Sequence, residues 1–146
     1  MKRIISIVLV VIMLSATGCS TSNISGSYDS ATSDSEKSKM SYKQIDQETA
    51  KEMMSRDDGH VIVDVRTQDE YDTGHIPGAI LIPNESIGNV QPEELPDLNQ
   101  VILIYCRSGN RSKQAAQKLA DIGYTEIYEF GGIIDWDGEI ITGDEK

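Results

Sequence analysis

The chain has 146 residues, 13 Lys and Arg against 24 Asp and Glu, a formal net charge of -11, two cysteines and two histidines. That length suffices for one ordinary domain with a real core, and the acidic balance excludes a protein that grips nucleic acid by neutralising phosphates. Two cysteines and two separated histidines supply neither a disulfide framework nor a zinc site, so the chemistry must rest on few reactive groups.

The N-terminus reads as a targeting segment. Lys2 and Arg3 precede a run from Ile4 to Leu14 that is apolar everywhere except Ser6. A spanning helix needs about 20 apolar residues, and the run is too short for that, but it suits the apolar region of an export signal. Residues 1–18 are therefore assigned as a signal peptide. The segment Ser15-Ala16-Thr17-Gly18-Cys19 resembles the lipobox of bacterial lipoproteins. That resemblance implies lipidation of Cys19 and an extracytoplasmic protein anchored to a bacterial membrane. Ala16 stands where the family usually has Leu, and Ala16 and Gly18 also suit ordinary signal peptidase, which would leave Cys19 a free thiol. From Ser20 to Met40, ten of 21 residues are Ser or Thr, with only Ile24 and Met40 as large aliphatics. Residues 19–40 are accordingly read as a lipidated cysteine followed by a flexible tether.

The folded domain is expected over residues 41–146, which carry nine basic residues against 21 acidic ones. Uninterrupted apolar runs at Val61-Ile62-Val63, Ile80-Leu81-Ile82 and Val101-Ile102-Leu103-Ile104-Tyr105 predict strands covered on both faces. Asp46 is placed to cap a helix over Gln47 to Ser55. A second helix over Ser112 to Ile122 gathers Ala115, Ala116, Leu119 and Ile122 into one stripe and stops at Gly123. No internal repeat is visible. Alternating strands and helices predict an α/β fold, a parallel sheet with helices on both faces. In such sheets ligands sit at the carboxyl ends of the strands.

That rule points to Cys106, which follows the most apolar strand and opens the loop Cys106-Arg107-Ser108-Gly109-Asn110-Arg111-Ser112 ahead of the second helix. A cysteine at such a turn collects backbone N–H groups around its sulfur, with the positive end of the helix dipole behind them. Arg107 and Arg111 add full charges. These features favour thiolate over thiol and predict a Cys106 pKa below the reference of about 8.5. Gly109 allows positive φ or close backbone approach. Ser112 either caps the helix or bonds the sulfur, and Asn110 is assigned only tolerance of a left-handed backbone.

The Cys106–Ser112 loop is similar to the active-site loop of the rhodanese-like sulfurtransferases. Asp64-Val65-Arg66, Glu70-Tyr71 and Gly74-His75-Ile76-Pro77-Gly78-Ala79 are similar to that family's upstream signature, and Gly131-Gly132 with Trp136 to its C-terminal one. The resemblance implies sulfane sulfur transfer. Cys106 would take sulfur from thiosulfate or a related persulfide donor and pass it to a thiol or cyanide. Loop N–H groups from Arg107 through Ser108, Gly109 and Asn110 to Arg111 would stabilise the persulfide, and Arg107 and Arg111 would hold an anionic donor. Asp64, Arg66, Glu70 and His75 are read as support behind the site, with Glu70 a candidate partner for Arg66 and His75 tying loop backbone. Trp136 is read as packing for the last helix, and His60 has no constellation around it.

Two other readings remain open. One is a non-turnover persulfide carrier or redox sensor that passes sulfur to a partner. The other, a cysteine phosphatase, needs five residues between cysteine and arginine, whereas four separate Cys106 from Arg111 and Ser112 occupies the clamp position. No cofactor, metal or nucleic acid is expected, since Gly131-Gly132 lacks the spacing and position of a nucleotide-binding fingerprint. The expected partners are a small anionic sulfur donor, a thiol acceptor and, through Cys19, a membrane; the sequence leaves the oligomeric state open.

Overall fold

A computed structural model describes residues 41–143. The signal-peptide and tether readings, and Cys19 with them, lie outside those residues. The elements run β1 (Lys43–Gln44), α1 (Gln47–Met54), β2 (Val61–Asp64), α2 (Gln68–Thr73), β3 (Ala79–Leu81), β4 (Val101–Cys106), α3 (Asn110–Ile122) and β5 (Glu126–Gly132), followed by a 3-10 turn over Ile133–Asp135. The five strands form one sheet in the order β1-β5-β4-β2-β3, and every pairing is parallel.

The central strand, β4, is the most apolar. Ile102, Leu103, Ile104 and Tyr105 are all fully buried, as a strand covered on both faces must be. Its side chains alternate between two cores. Ile102, Ile104 and Cys106 pack with Val63, Val65 and the α3 residues Ala115, Ala116 and Leu119. Leu103 and Tyr105 face the other way, onto Ala50 and Met53 of α1, with Phe130 and Trp136 beside them. Trp136 follows the 3-10 turn, with its ring centroid 5.7 Å from that of Phe130. It packs against the sheet face that α1 covers, so no further helix is involved.

Local chemistry sets the helix ends. Asp46 accepts a hydrogen bond from the Thr49 N–H at 2.8 Å, a cap that contributes about 1 kcal/mol. Gly123 ends α3 by donating to Leu119 and Ala120 carbonyls. Asn110, not Ser112, opens α3, because the left-handed residue is Gly109 (φ 89) and helical geometry begins directly after it. The reading of Asn110 as the left-handed position is corrected accordingly. The run read as Ile80 to Ile82 pairs one residue earlier, as β3.

Two strands and one helix were not anticipated. β1 is two exposed polar residues, which carry no apolar signal. β5 has glutamates at 126 and 129, and Glu129 is buried. Helix α2 has no buried residue, but its start is written in the sequence as Thr67-Gln68-Asp69-Glu70. Thr67 and Glu70 cap each other reciprocally there, as the S/T-x-x-E signature predicts.

Candidate active site

Cys106 closes β4, and its side chain points to the sheet face that α3 covers. The register between β4 and β5 breaks at this point, with Ile104 opposite Glu129 but Cys106 opposite Gly132. This bulge brings the Gly131-Gly132 corner against the loop. A Cβ on Gly132 would lie 2.5 Å from the Ser108 Cα and collide with the Arg107 carbonyl, so only glycine lets β5 approach so closely.

The loop then turns its backbone toward the sulfur. Gly109 donates its N–H to Cys106 Sγ at 3.1 Å. Burial pushes the thiol pKa up, yet the net shift is downward, because the Ser112 hydroxyl and the N–H groups of Ser112, Ser108 and Gly109 all favour the thiolate. The sulfur is buried, with Cys106 only 1% exposed. Among the described residues, Cys106 is the free cysteine. A buried anion ringed by N–H donors at a helix start is the arrangement that makes a cysteine nucleophilic at neutral pH.

Ser112 does not cap α3. It is the third helical residue, and its hydroxyl donates to Glu129 Oε1 at 2.6 Å. Glu129 also accepts the Gly131 N–H at 3.0 Å and a long bond from Gln44 at 3.4 Å. This buried carboxylate directly behind the loop was absent from the sequence reading. The available signal was its spacing two residues after buried Ile127, which puts both side chains on the α3 side of the sheet.

Arg111 reaches across to α2. Its two terminal nitrogens meet the two Glu70 oxygens at 2.7 and 2.8 Å. Arg111 beside it holds the Glu70 carboxyl down to a pKa of about 2, despite partial burial and with help from Thr67. The reading of Glu70 as a partner for Arg66 is thereby corrected. Arg66 pairs instead with Asp64, through bonds of 2.6, 2.9 and 3.0 Å, and donates to the Gly74 carbonyl at 2.6 Å. Asp64 is fully buried and Arg66 nearly so, and the bidentate geometry answers the cost of burying both charges.

That pair lies beside Tyr105, on the sheet face opposite the Cys106 sulfur. Burial, with the Asp64 charge, pushes the Tyr105 phenol far above its ordinary value; its oxygen accepts the Ile76 N–H at 3.1 Å. His75, also buried, stacks on Tyr71 with centroids 3.6 Å apart, and its Nδ1 lies 3.0 Å from the Tyr71 carbonyl. Asp64, Arg66 and His75 therefore brace the Gly74–Ala79 turn, and only Glu70 of the four supporting residues touches the Cys106 loop. Arg107 and Ser108 are exposed at the rim, and the Arg107 carbonyl accepts the Ile134 N–H at 3.2 Å. Asn110 bonds Gln114 within α3. His60 bonds Asp58 at 2.8 Å, away from the loop. No group of three His, Cys, Asp or Glu among the described residues is arranged to hold a metal ion, and no helix among them is long and apolar enough to cross a membrane.

Residues 46–139 match the family described as the rhodanese-like domain. The chain belongs to the rhodanese-like family. It is 36% identical over 107 residues to the thiosulfate sulfurtransferase GlpE of Coxiella burnetii, covering 72% of this chain and 96% of that protein. Against the thiosulfate sulfurtransferase PspE of Escherichia coli it is 36% identical over 73 residues, or 50% of this chain and 70% of the relative. The Escherichia coli structure described as a rhodanese with anions superposes with a TM-score of 0.53 at 32% identity, covering 57% of this chain and 99% of that one. The human single-domain sulfurtransferase TSTD1 does so with a TM-score of 0.54 at 25% identity, covering 61% and 88%. At the level of the family, this rhodanese-like protein is a sulfurtransferase that works between a sulfur donor and a thiol acceptor.

Proposed function

We propose that this protein transfers sulfane sulfur from thiosulfate or a persulfide donor to a thiol or cyanide acceptor through a persulfide on Cys106. The observation that carries the reading is the donor ring around the Cys106 sulfur, with the Gly109 N–H at 3.1 Å and the thiol pKa held below its ordinary value. In the first half-reaction the thiolate attacks the outer sulfur of thiosulfate. The S–S bond breaks, and sulfite leaves with the bonding electron pair. In the second, an acceptor thiolate attacks the terminal sulfur, takes it as its own persulfide and returns the Cys106 thiolate. The N–H ring serves both halves, since it stabilises negative charge whether it lies on the thiolate or on the bound persulfide.

A phosphatase fits the same residues poorly. Ser112 stands at the clamp position, where a phosphatase needs an arginine, and its hydroxyl is bonded to the buried Glu129 carboxylate, so no guanidinium is placed there to hold a phosphate. Mass spectrometry before and after thiosulfate tests the reading: one sulfur atom is gained on Cys106, and none in Cys106→Ser. Failure of the native chain to gain sulfur from any donor would refute it.

The N-terminal pattern supports a second proposal, that lipid on Cys19 anchors the domain to a bacterial membrane outside the cytoplasm. Palmitate labelling of the native chain, lost in Cys19→Ala, is the expected result. Labelling that survives the substitution overturns it.

A further inference from the structure

We propose that Glu70 determines donor specificity: by clamping Arg111 it sets the Cys106 loop against doubly charged sulfur donors and in favour of alkyl or peptidyl hydropersulfides. This inference rests on the sulfur-transfer reading and names the donor class of that same site.

The clamp is built rather than incidental. Each terminal nitrogen of Arg111 directs an N–H to one of the two Glu70 oxygens, at 2.7 and 2.8 Å, so the fork that would otherwise take the sulfonate end of thiosulfate is turned onto a carboxylate. Glu70 is itself fixed. Its Oε2 accepts the Thr67 N–H at 3.1 Å and lies 3.2 Å from the Thr67 hydroxyl, so the carboxylate belongs to the cap that starts α2. It cannot swing aside without opening that cap.

The surrounding charges point the same way. Arg107 is exposed at the rim and forms none of the ion pairs among the described residues. Against it stands Glu85, whose charge also acts on Arg111. With Arg111 and Glu70 cancelling, Arg107 is left as the loop's arginine outside any ion pair among the described residues, and the domain around it holds 21 acidic residues against nine basic ones. A dianion feels that field twice as strongly as a monoanion and a neutral donor does not feel it at all. A hydropersulfide R–S–SH suits the same chemistry. The Cys106 thiolate attacks the terminal sulfur, the S–S bond breaks, the thiolate RS⁻ leaves with the electron pair, and the Cys106 hydropersulfide keeps the proton.

The test compares loading of Cys106 in the full-length chain by thiosulfate and by 2-hydroxyethyl hydropersulfide, read as sulfur gained per unit time by mass spectrometry. In Glu70→Gln, which keeps an oxygen for the Thr67 N–H, the ratio of the thiosulfate to the hydropersulfide rate constant rises at least about tenfold. Thiosulfate loading of that variant also slows as salt is added. In the double variant Glu70→Gln/Arg111→Gln the ratio falls back toward the native value, a reversal that a merely structural role for Glu70 would not produce. A ratio unchanged or lowered in Glu70→Gln, while Cys106 still loads, overturns this inference alone. Loading of the native chain by neither donor overturns the sulfur-transfer reading and this inference with it.

Discussion

Ser112 and Glu129, 17 positions apart in sequence, are joined by a 2.6 Å hydrogen bond beneath the Cys106 loop, and both side chains are buried. The Ser112 N–H also favours the Cys106 thiolate, as does its hydroxyl, for whose single proton the thiolate and Glu129 compete. One residue of α3 thus connects the nucleophile to a carboxylate on β5.

Removing that connection changes the titration of Cys106. In Ser112→Ala the hydroxyl's contribution to the thiolate is lost while burial, which opposes ionisation, remains. The pH midpoint of iodoacetamide alkylation therefore lies below that of an ordinary cysteine thiol in the native chain and moves upward in the variant. A midpoint that stays put would separate Ser112 from the thiolate.

The carboxylate is also a stability element. Glu129→Ala leaves the Ser112 hydroxyl and the Gly131 N–H without their acceptor in a buried site, at a cost of about 2–3 kcal/mol for the unsatisfied groups together. Glu129→Gln keeps an acceptor oxygen and loses less. Urea unfolding of the two variants measures the difference, and equal midpoints would count against the role.

Glu70 gives the domain an acid-sensitive component. Its carboxyl titrates near 2 when folded against an ordinary value of 4.5. The depressed pKa means that its contribution is complete above pH 4.5 and is lost as pH falls toward 2. For a partly exposed bidentate pair that contribution is about 1 kcal/mol. The native chain is therefore more urea-resistant than Glu70→Gln by about that amount at pH 7, and the gap narrows below pH 4.5.

Gly132→Ala tests the approach of β5 to the loop. The new methyl has no room beside the Arg107 carbonyl and the Ser108 Cα, so either strand or loop must shift, at about 1–3 kcal/mol. Because the displaced atoms belong to the Cys106 loop, sulfur loading falls together with the melting temperature. An unaltered loading rate would show that the loop tolerates the shift.

The sequence made the central sheet and the nucleophile legible for the same reason. Val101 to Tyr105 is uniformly apolar because both faces of β4 are covered, and such a strand in an α/β pattern ends where ligands bind. The Asp46 cap and the Ala115–Leu119 stripe likewise act within one or two helical turns. Charge pairing was not legible. Arg111 and Glu70 are 41 positions apart, whereas Asp64 and Arg66 are two apart, and only the fold decides which arginine receives which carboxylate. β5 was obscured by the very residue that matters there, since Glu129 places a charge where a hydrophobic pattern expects an apolar side chain.

Beyond the 3-10 turn the chain returns to the Gly74–Ala79 turn, where His75 and Ile141 exchange both backbone hydrogen bonds at 2.9 Å and Gly143 donates to the Asp72 carbonyl. The family match stops at residue 139. A truncation drawn at that boundary would therefore sever a latch two residues further on, unfastening the turn that follows α2 and, through α2, the anchorage of Glu70. The same latch advises against a purification tag fused upstream of Gly143, where the added segment would compete for the backbone groups that hold His75.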